Sequence, residues 1–154
     1  MEKKKDEEKV VATNRKAHHD YFIFDRYEAG VVLAGTEVKS IRDGRVNLRD
    51  AFCRELGGEL FLMNCHVSPY EQANRYNVEP LRDRKLLLHK REIVKIAGKV
   101  AEKGLTIVPL RAYLKGGRVK LEIGLAKGKK NWDKRETIKR REQDREMRRK
   151  LSSG

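Results

Sequence analysis

LTIVPLRAYLKGGRVKLEIGLAK, residues 105–127, reads as two strands about a Gly-Gly pair. Its second half alternates, placing Val119, Leu121, Ile123 and Leu125 on one face, which is the two-residue period of a strand with one buried side. Gly116-Gly117 suits a tight hairpin turn. Pro109 has no N–H to give to a ladder, so it places a bulge or an edge in the first strand. Upstream, Leu86, Leu87, Ile93, Ile96, Ala97 and Val100 recur at spacings of three and four. That period predicts an amphipathic helix over 89–103, ending at Gly104 and entered through the leucines. VNLRDAFCREL and ELFLMNCHV flank Gly57-Gly58 and predict a second hairpin. GTEVKSIRDG (35–44) predicts a short helix, with Thr36 as N-cap and Gly44 in the left-handed stop position. DYFIFDRYEAGVVL (20–33) is rich in aromatic and β-branched residues and predicts one or two strands bent at Gly30. SPYEQANRYNVEPLRDRK (68–85), with Pro69 and Pro80, predicts a long surface loop.

The predicted order is strands, short helix, hairpin, loop, helix, hairpin. The fold class is mainly β with short helices, and five or six mostly antiparallel strands suit a small closed or nearly closed barrel. An OB-type barrel is a candidate, and such barrels commonly bind oligonucleotides. Three segments are expected: a flexible N-terminal arm over 1–16, a barrel domain over 17–126 and a basic C-terminal tail over 127–154.

The 154 residues carry 37 Lys and Arg against 23 Asp and Glu, a formal net charge of +14. Solubility alone needs a magnitude of only about 2–8 on a small domain, so the excess points to a polyanionic partner. Half of it lies in 127–154, where 12 cationic and 5 acidic residues leave a net of +7. The sizeable apolar residues there, Trp132, Ile138, Met147 and Leu151, form no continuous stripe. The tail is therefore expected to be disordered alone and helical on a polyanion. A narrow apolar content also disfavours a membrane surface. Trp132 fits two readings, a stack on an unpaired base or an anchor packed on the barrel.

Little argues for catalysis. No G-x-S-x-G, Walker loop or H-E-x-x-H occurs. Cys65 and His66 are neighbours that a strand would turn to opposite faces. Cys53 and Cys65 sit in apolar runs and are expected as buried free thiols. His18, His19, His66 and His89 lack metal-ligand spacing. No enzyme, metal or cofactor is expected. No signal peptide or long apolar run occurs, so a cytoplasmic protein is expected.

Two basic clusters remain. Lys39, Arg42, Arg45 and Arg49 surround the short helix, and Arg82, Arg84, Lys85, Lys90 and Arg91 are expected to face outward around Leu86–Leu88. Clustered cations on a rigid edge position a phosphate backbone. Glu28 and Glu37, lying among such residues, fit either an acceptor for a base amino group or a plain surface ion pair.

NRKAHHDYFI, EAGVVLAGTEVKSIRDGRVNLRDAF, NCHVSPYEQAN, RDRKLLLHKREI, KGLTIVPLRAYLK and LEIGLAKGKKNWDKRETIKRRE follow one another in one chain. Together they closely resemble the SmpB family over nearly all of residues 13–150. The resemblance implies an OB-related barrel that binds the tRNA-like part of transfer-messenger RNA (tmRNA, SsrA RNA), as one monomer per RNA. It implies delivery of that RNA to stalled ribosomes in trans-translation, the tail probing the empty mRNA channel beside the decoding centre. Glu28, Leu87 and His89 match positions linked to tmRNA binding. Gly35, Thr36, Glu37, Lys39, Ser40 and Asn47 fall on or beside that surface, and Arg42, Arg84, Lys85 and Lys90 complete the expected RNA-binding set. In the tail, Lys127, Gly128, Lys129, Lys130, Trp132, Asp133, Lys134 and Arg135 match the ribosome-contacting element. A general basic RNA-binding or ribosome-associated OB-type protein is the alternative.

Overall fold

The computed structural model describes residues 8–71 and 77–129. Among them the elements run β1 (Glu8–Thr13), α1 (Arg15–Asp20), β2 (Tyr21–Val31), α2 (Gly35–Arg42), β3 (Val46–Asn47), β4 (Phe52–Leu56) and β5 (Glu59–Met63). They continue with β6 (His66–Val67), β7 (Arg84–Leu87), α3 (Lys90–Lys103), β8 (Thr106–Lys115) and β9 (Arg118–Gly128).

The opening stretch forms the longest hairpin. β8 and β9 pair from Thr106↔Ala126 to Lys115↔Arg118, and the register slips between Pro109 and Arg111. The bulge sits where proline removes a donor, as its chemistry requires. Gly116 and Gly117 turn the chain at φ of 58° and 78°, two positive values in succession that side chains bearing a Cβ resist. From this hairpin the sheet runs in both directions. β9 pairs β2 and β8 pairs β4, then β4–β5, β5–β7 and β7–β2 follow, all antiparallel. The ring β8-β4-β5-β7-β2-β9 thus closes on itself, leaving no free edge among these six strands.

Inside the ring lie Ala29, Leu60, Leu62, Leu86, Leu121, Ile123 and Leu125. α3 adds Ile93 and Ile96 to the same core and stops at Gly104 in the left-handed conformation, as the sequence predicts. A smaller cluster of Ala17, Val108, Leu110 and Ala126 forms under α1 on the outer face of the hairpin. Asn14 ties these parts together. It is buried, its amide donates to the carbonyls of Leu48 and Pro109 at 2.9 Å each, and its Oδ1 accepts the Ala17 N–H at 3.1 Å. Both cysteines are buried free thiols, as expected. Burial pushes the Cys65 thiol up to about 11 and Cys53 further still.

Three expectations are corrected and one is narrowed. Residues 8–16, expected as part of a flexible arm, instead form β1 and the start of α1. β1 pairs the edge of β8 from Glu8↔Lys115 to Thr13↔Arg111; residues 1–7 lie outside the described residues. The one or two strands expected over 20–33 are a single strand, β2, that includes Gly30. Leu86 and Leu87 do not enter α3 but belong to β7, because Leu86 pairs Leu60 and is needed to close the ring. Thr36 does not cap α2. Ala34 holds the N-cap position, and the Glu37 carboxylate accepts its N–H at 2.9 Å. The Thr36 hydroxyl is buried without a partner among the described residues.

Candidate nucleic-acid interface

β2 and β7 run side by side, with Gly30 opposite Leu87. A Cβ on Gly30 would lie 3.3 Å from the Leu87 Cβ, a tight contact, so glycine eases the approach of the two strands at this point. Beside them an open groove of about 510 Å³ is lined by Glu28, Gly30, Leu87, Leu88, His89, Glu92 and Lys120. Period-2 alternation along β7 buries Leu86 and turns Leu87 out, where 52% of its surface is exposed. His89 is the exposed N-cap of α3, and its N–H donates to the Glu92 carboxylate at 3.2 Å. The amino end of a 14-residue helix therefore opens on the groove and adds partial positive charge to it.

Glu28 sits at the groove edge in a fixed pose. The buried Tyr113 hydroxyl donates to its Oε2, and Lys115 Nζ lies 3.3 Å from the same oxygen. Arg111 stacks over the Tyr113 ring at 4.3 Å and pairs with Glu8 at 3.0 Å and Glu122 at 3.2 Å. The Tyr113 bond is the main cause holding the Glu28 carboxyl below its ordinary value, with Lys115 and Lys120 adding to it. Burial and the Glu28 carboxylate push Tyr113 up, so the phenol stays a donor. Glu28 is thus an anion at neutral pH. Its Oε2 is engaged while the side chain remains 39% exposed.

The structure brings Glu28, Leu87 and His89 together and separates them from much of the remaining expected set. Glu37 is 3% exposed, and Oε2 accepts the Arg84 Nε at 2.6 Å while Oε1 accepts from Arg82. Arg84, expected to face outward, is 1% exposed. It donates to the carbonyls of Cys65 at 2.6 Å and Pro80 at 2.9 Å. Burial alone would raise the Glu37 pKa, but Arg82, the Ala34 N–H and Arg84 outweigh it and hold it below the ordinary value. Ser40 is fully buried and, like Thr36, has its hydroxyl unpartnered among the described residues. Glu37, Ser40 and Arg84 therefore build the interior beneath α2, and the half-buried Thr36 turns its hydroxyl into it.

Around that interior, Gly35, Lys39 and Arg42 are exposed. Lys39 lies over the Tyr70 ring at 5.3 Å, and Arg42 donates to the Gly117 carbonyl at 3.0 Å. Asn47 is exposed and accepts the Arg49 N–H at 2.9 Å. Lys85 pairs with Glu59 at 2.8 Å, and Lys90 is exposed on the first turn of α3. Of the tail set, Lys127 and Gly128 end β9 opposite Phe22 and Tyr21. Lys129 reaches the His18 carbonyl at 3.4 Å. Lys130, Trp132, Asp133, Lys134 and Arg135 lie outside the described residues.

Lys120, Tyr113 and Glu92 escaped the sequence reading. Lys120 was legible as the polar member of the alternating strand 118–126. Tyr113 carries no such signal, because its contact with Glu28 joins residues 85 positions apart.

A family model described as SmpB protein matches residues 11–153. The SsrA-binding protein of Geobacillus kaustophilus (strain HTA426) is 63% identical over 145 residues, covering 94% of each chain. That of Carboxydothermus hydrogenoformans is 63% identical over 140 residues, covering 91% of this chain and 94% of its own. A solved chain described as "tmRNA-SmpB: a journey to the center of the bacterial ribosome" superposes with a TM-score of 0.65. It is 51% identical and covers 77% of this chain and 83% of that one.

Proposed function

We propose, from the premise that this chain belongs to the SmpB protein family, that it binds tmRNA and carries it to stalled ribosomes in trans-translation. The observation that carries the residue-level reading is the fixed carboxylate of Glu28 at the mouth of a groove shared with Leu87, His89 and Lys120. Glu28 presents an acceptor to an exocyclic amino group or a ribose 2′-hydroxyl, both donors that a tRNA-like fold exposes. Leu87 supplies an apolar floor for a sugar or base. His89, Lys120 and the helix terminus bind the adjacent phosphates, which set register without reading sequence. Lys39, Arg42, Asn47, Lys85 and Lys90 extend the positive field to either side.

The protein acts as an adaptor with no chemical step of its own, in the cytoplasm. Among the described residues no helix is long and apolar enough to cross a membrane. The tail, net +7 over residues 127–154, supplies sequence-independent attraction to the RNA walls of the mRNA channel.

The test is binding to the tRNA-like domain of tmRNA, an elongator tRNA and a random structured RNA at several salt concentrations. A preference for the tRNA-like domain that persists as salt rises supports the reading. Equal affinities that fall together with salt would favour a general RNA-binding barrel. Truncation after Gly128 should leave tRNA-like-domain binding nearly intact and abolish rescue of stalled ribosomes; equal loss of both overturns the division between barrel and tail.

A further inference from the structure

Glu28 lies directly opposite Glu122 in the register of β2 and β9, and Glu122 lies opposite Arg111 in that of β9 and β8. Like charges facing each other across a strand pair repel, so the charge of Glu122 has to be taken up elsewhere. Arg111 takes it up from the far side, its Nε donating to Glu122 Oε2 at 3.2 Å. The bulge makes this contact possible: the slip between Pro109 and Arg111 sets Arg111, rather than Leu110, against Glu122. Arg26 also reaches Glu122, but at 3.4 Å and with a side chain 56% exposed, against 27% for Arg111. The Arg111 guanidinium lies over the ring of Tyr113, whose hydroxyl donates to Glu28. On its other side Nη2 donates to Glu8 Oε2 at 3.0 Å. Glu8 begins β1 and stands opposite Lys115, the second donor to Glu28. One arginine thus joins four strands, and neither it nor Glu8 lines the groove.

We infer that Arg111 is a positioning residue for the Glu28 carboxylate, and that β1, holding Arg111 through Glu8, contributes to RNA affinity without touching RNA. The planar fork of arginine is suited to this task, because it can donate to two carboxylates at once while its face covers an aromatic ring. Without it, Glu122 faces Glu28 with only the looser Arg26 as counter-charge, and the Tyr113 ring loses the cation that lies on it. The Glu28 carboxylate is then freer to turn and more easily protonated, and binding weakens at the acceptor itself. If Arg111 merely fastened β1 to the barrel, its loss would lower stability and leave the acceptor unchanged. The inference rests on the groove reading above and adds to it the residues that prepare its acceptor.

The test uses the full chain. Arg111→Met keeps the aliphatic stem and removes the fork. It should lower affinity for the tRNA-like domain about fivefold, as expected of a residue that acts through a neighbour, and leave a random structured RNA unchanged. Glu8→Gln, a milder change at an exposed strand end, should give a loss of the same kind of about twofold. Both losses should vanish in a Glu28→Gln background, because they run through that carboxylate. Arg111→Lys should recover part of the affinity, since it keeps the charge but not the fork. The salt slope should stay as in the parent. A slope smaller by about one on both RNAs would mean that Arg111 holds a phosphate itself, and it would overturn the inference. In the free protein, an NMR titration of the Glu28 carboxyl carbon should move to higher pH in Arg111→Met, because the Tyr113 bond is the main cause holding that group low. An unmoved titration, or losses that add in full to that of Glu28→Gln, overturns the inference. If Glu28→Gln leaves affinity unchanged while the titration still moves in Arg111→Met, the groove reading fails and the positioning of Glu28 stands.

Discussion

Glu28 and Glu37 look alike along the chain: each is a lone carboxylate close to cations in a strongly basic protein. Folding gives them opposite work. Glu37 is enclosed, with Arg82, Arg84 and the Ala34 N–H on its two oxygens, and it joins α2 to β7 and the segment before it. Glu28 is pinned on one oxygen and stays 39% exposed, so it can still accept from a partner. A carboxylate whose hydrogen bonds are all made inside the protein is structural, and one held in place but incompletely used is poised to bind.

The largest expected effect breaks the buried side of this pair. Arg84→Ala leaves the buried Glu37 Oε2 without its guanidinium, with only Arg82 still paired on Oε1, and takes a donor from the Cys65 and Pro80 carbonyls; removing one partner of a buried ion pair costs about 3–5 kcal/mol. A urea titration should show that loss, while the fraction that folds binds the tRNA-like domain normally. If stability is unchanged and RNA affinity falls, the two carboxylates have been assigned the wrong way round. Next, Glu28→Gln should change stability by well under the Arg84 effect and lower tRNA-like-domain affinity about tenfold or more, since hydrogen bonds to charged groups contribute about 1.5–3 kcal/mol. Filter binding beside a melting curve separates the two readouts.

The pH dependence sharpens the contrast further. The Glu37 carboxyl is lowered from 4.5 in the folded protein. Its contribution to stability is therefore fully present above about 4.5 and is lost as pH falls through the lower folded value. Wild type and Glu37→Gln should converge in stability as the solution is acidified below that range and stay apart at neutral pH. A gap that widened on acidification would contradict the buried ion pair. The smallest expected effect is that of Tyr113→Phe, which deletes only the hydroxyl that positions Glu28. Stability should fall by about 1 kcal/mol, and tRNA-like-domain affinity should fall less than in Glu28→Gln, because the carboxylate remains and has only lost its fixed pose.

The miss at Arg84 has a definite cause. The segment 84–87 alternates buried Arg84, half-buried Lys85, buried Leu86 and exposed Leu87, which is a strand period. Four residues are too few to declare it, and the three leucines mimic the entry of the helix that follows. Long elements were legible. α3 and the β8–β9 hairpin sit within a few residues of their predicted bounds, because ten or more residues repeat one period. β1 was missed because its six residues are mostly exposed and are held by pairing to β8, a partner about a hundred positions away.

The order of residues was enough, by itself, to determine the periodic elements, the turn glycines, the basic excess and the family resemblance, since each is a property of neighbouring or consecutive side chains. Only the closed ring decided which charges are interior and which are available. Ring closure turns every second residue of β7 inward, drawing Arg84 onto Glu37, and the pairing of β8 and β2 on either side of β9 brings Tyr113 across the sheet to Glu28. Burial and hydrogen-bond saturation belong to contacts between distant strands, and no local pattern of charge encodes them.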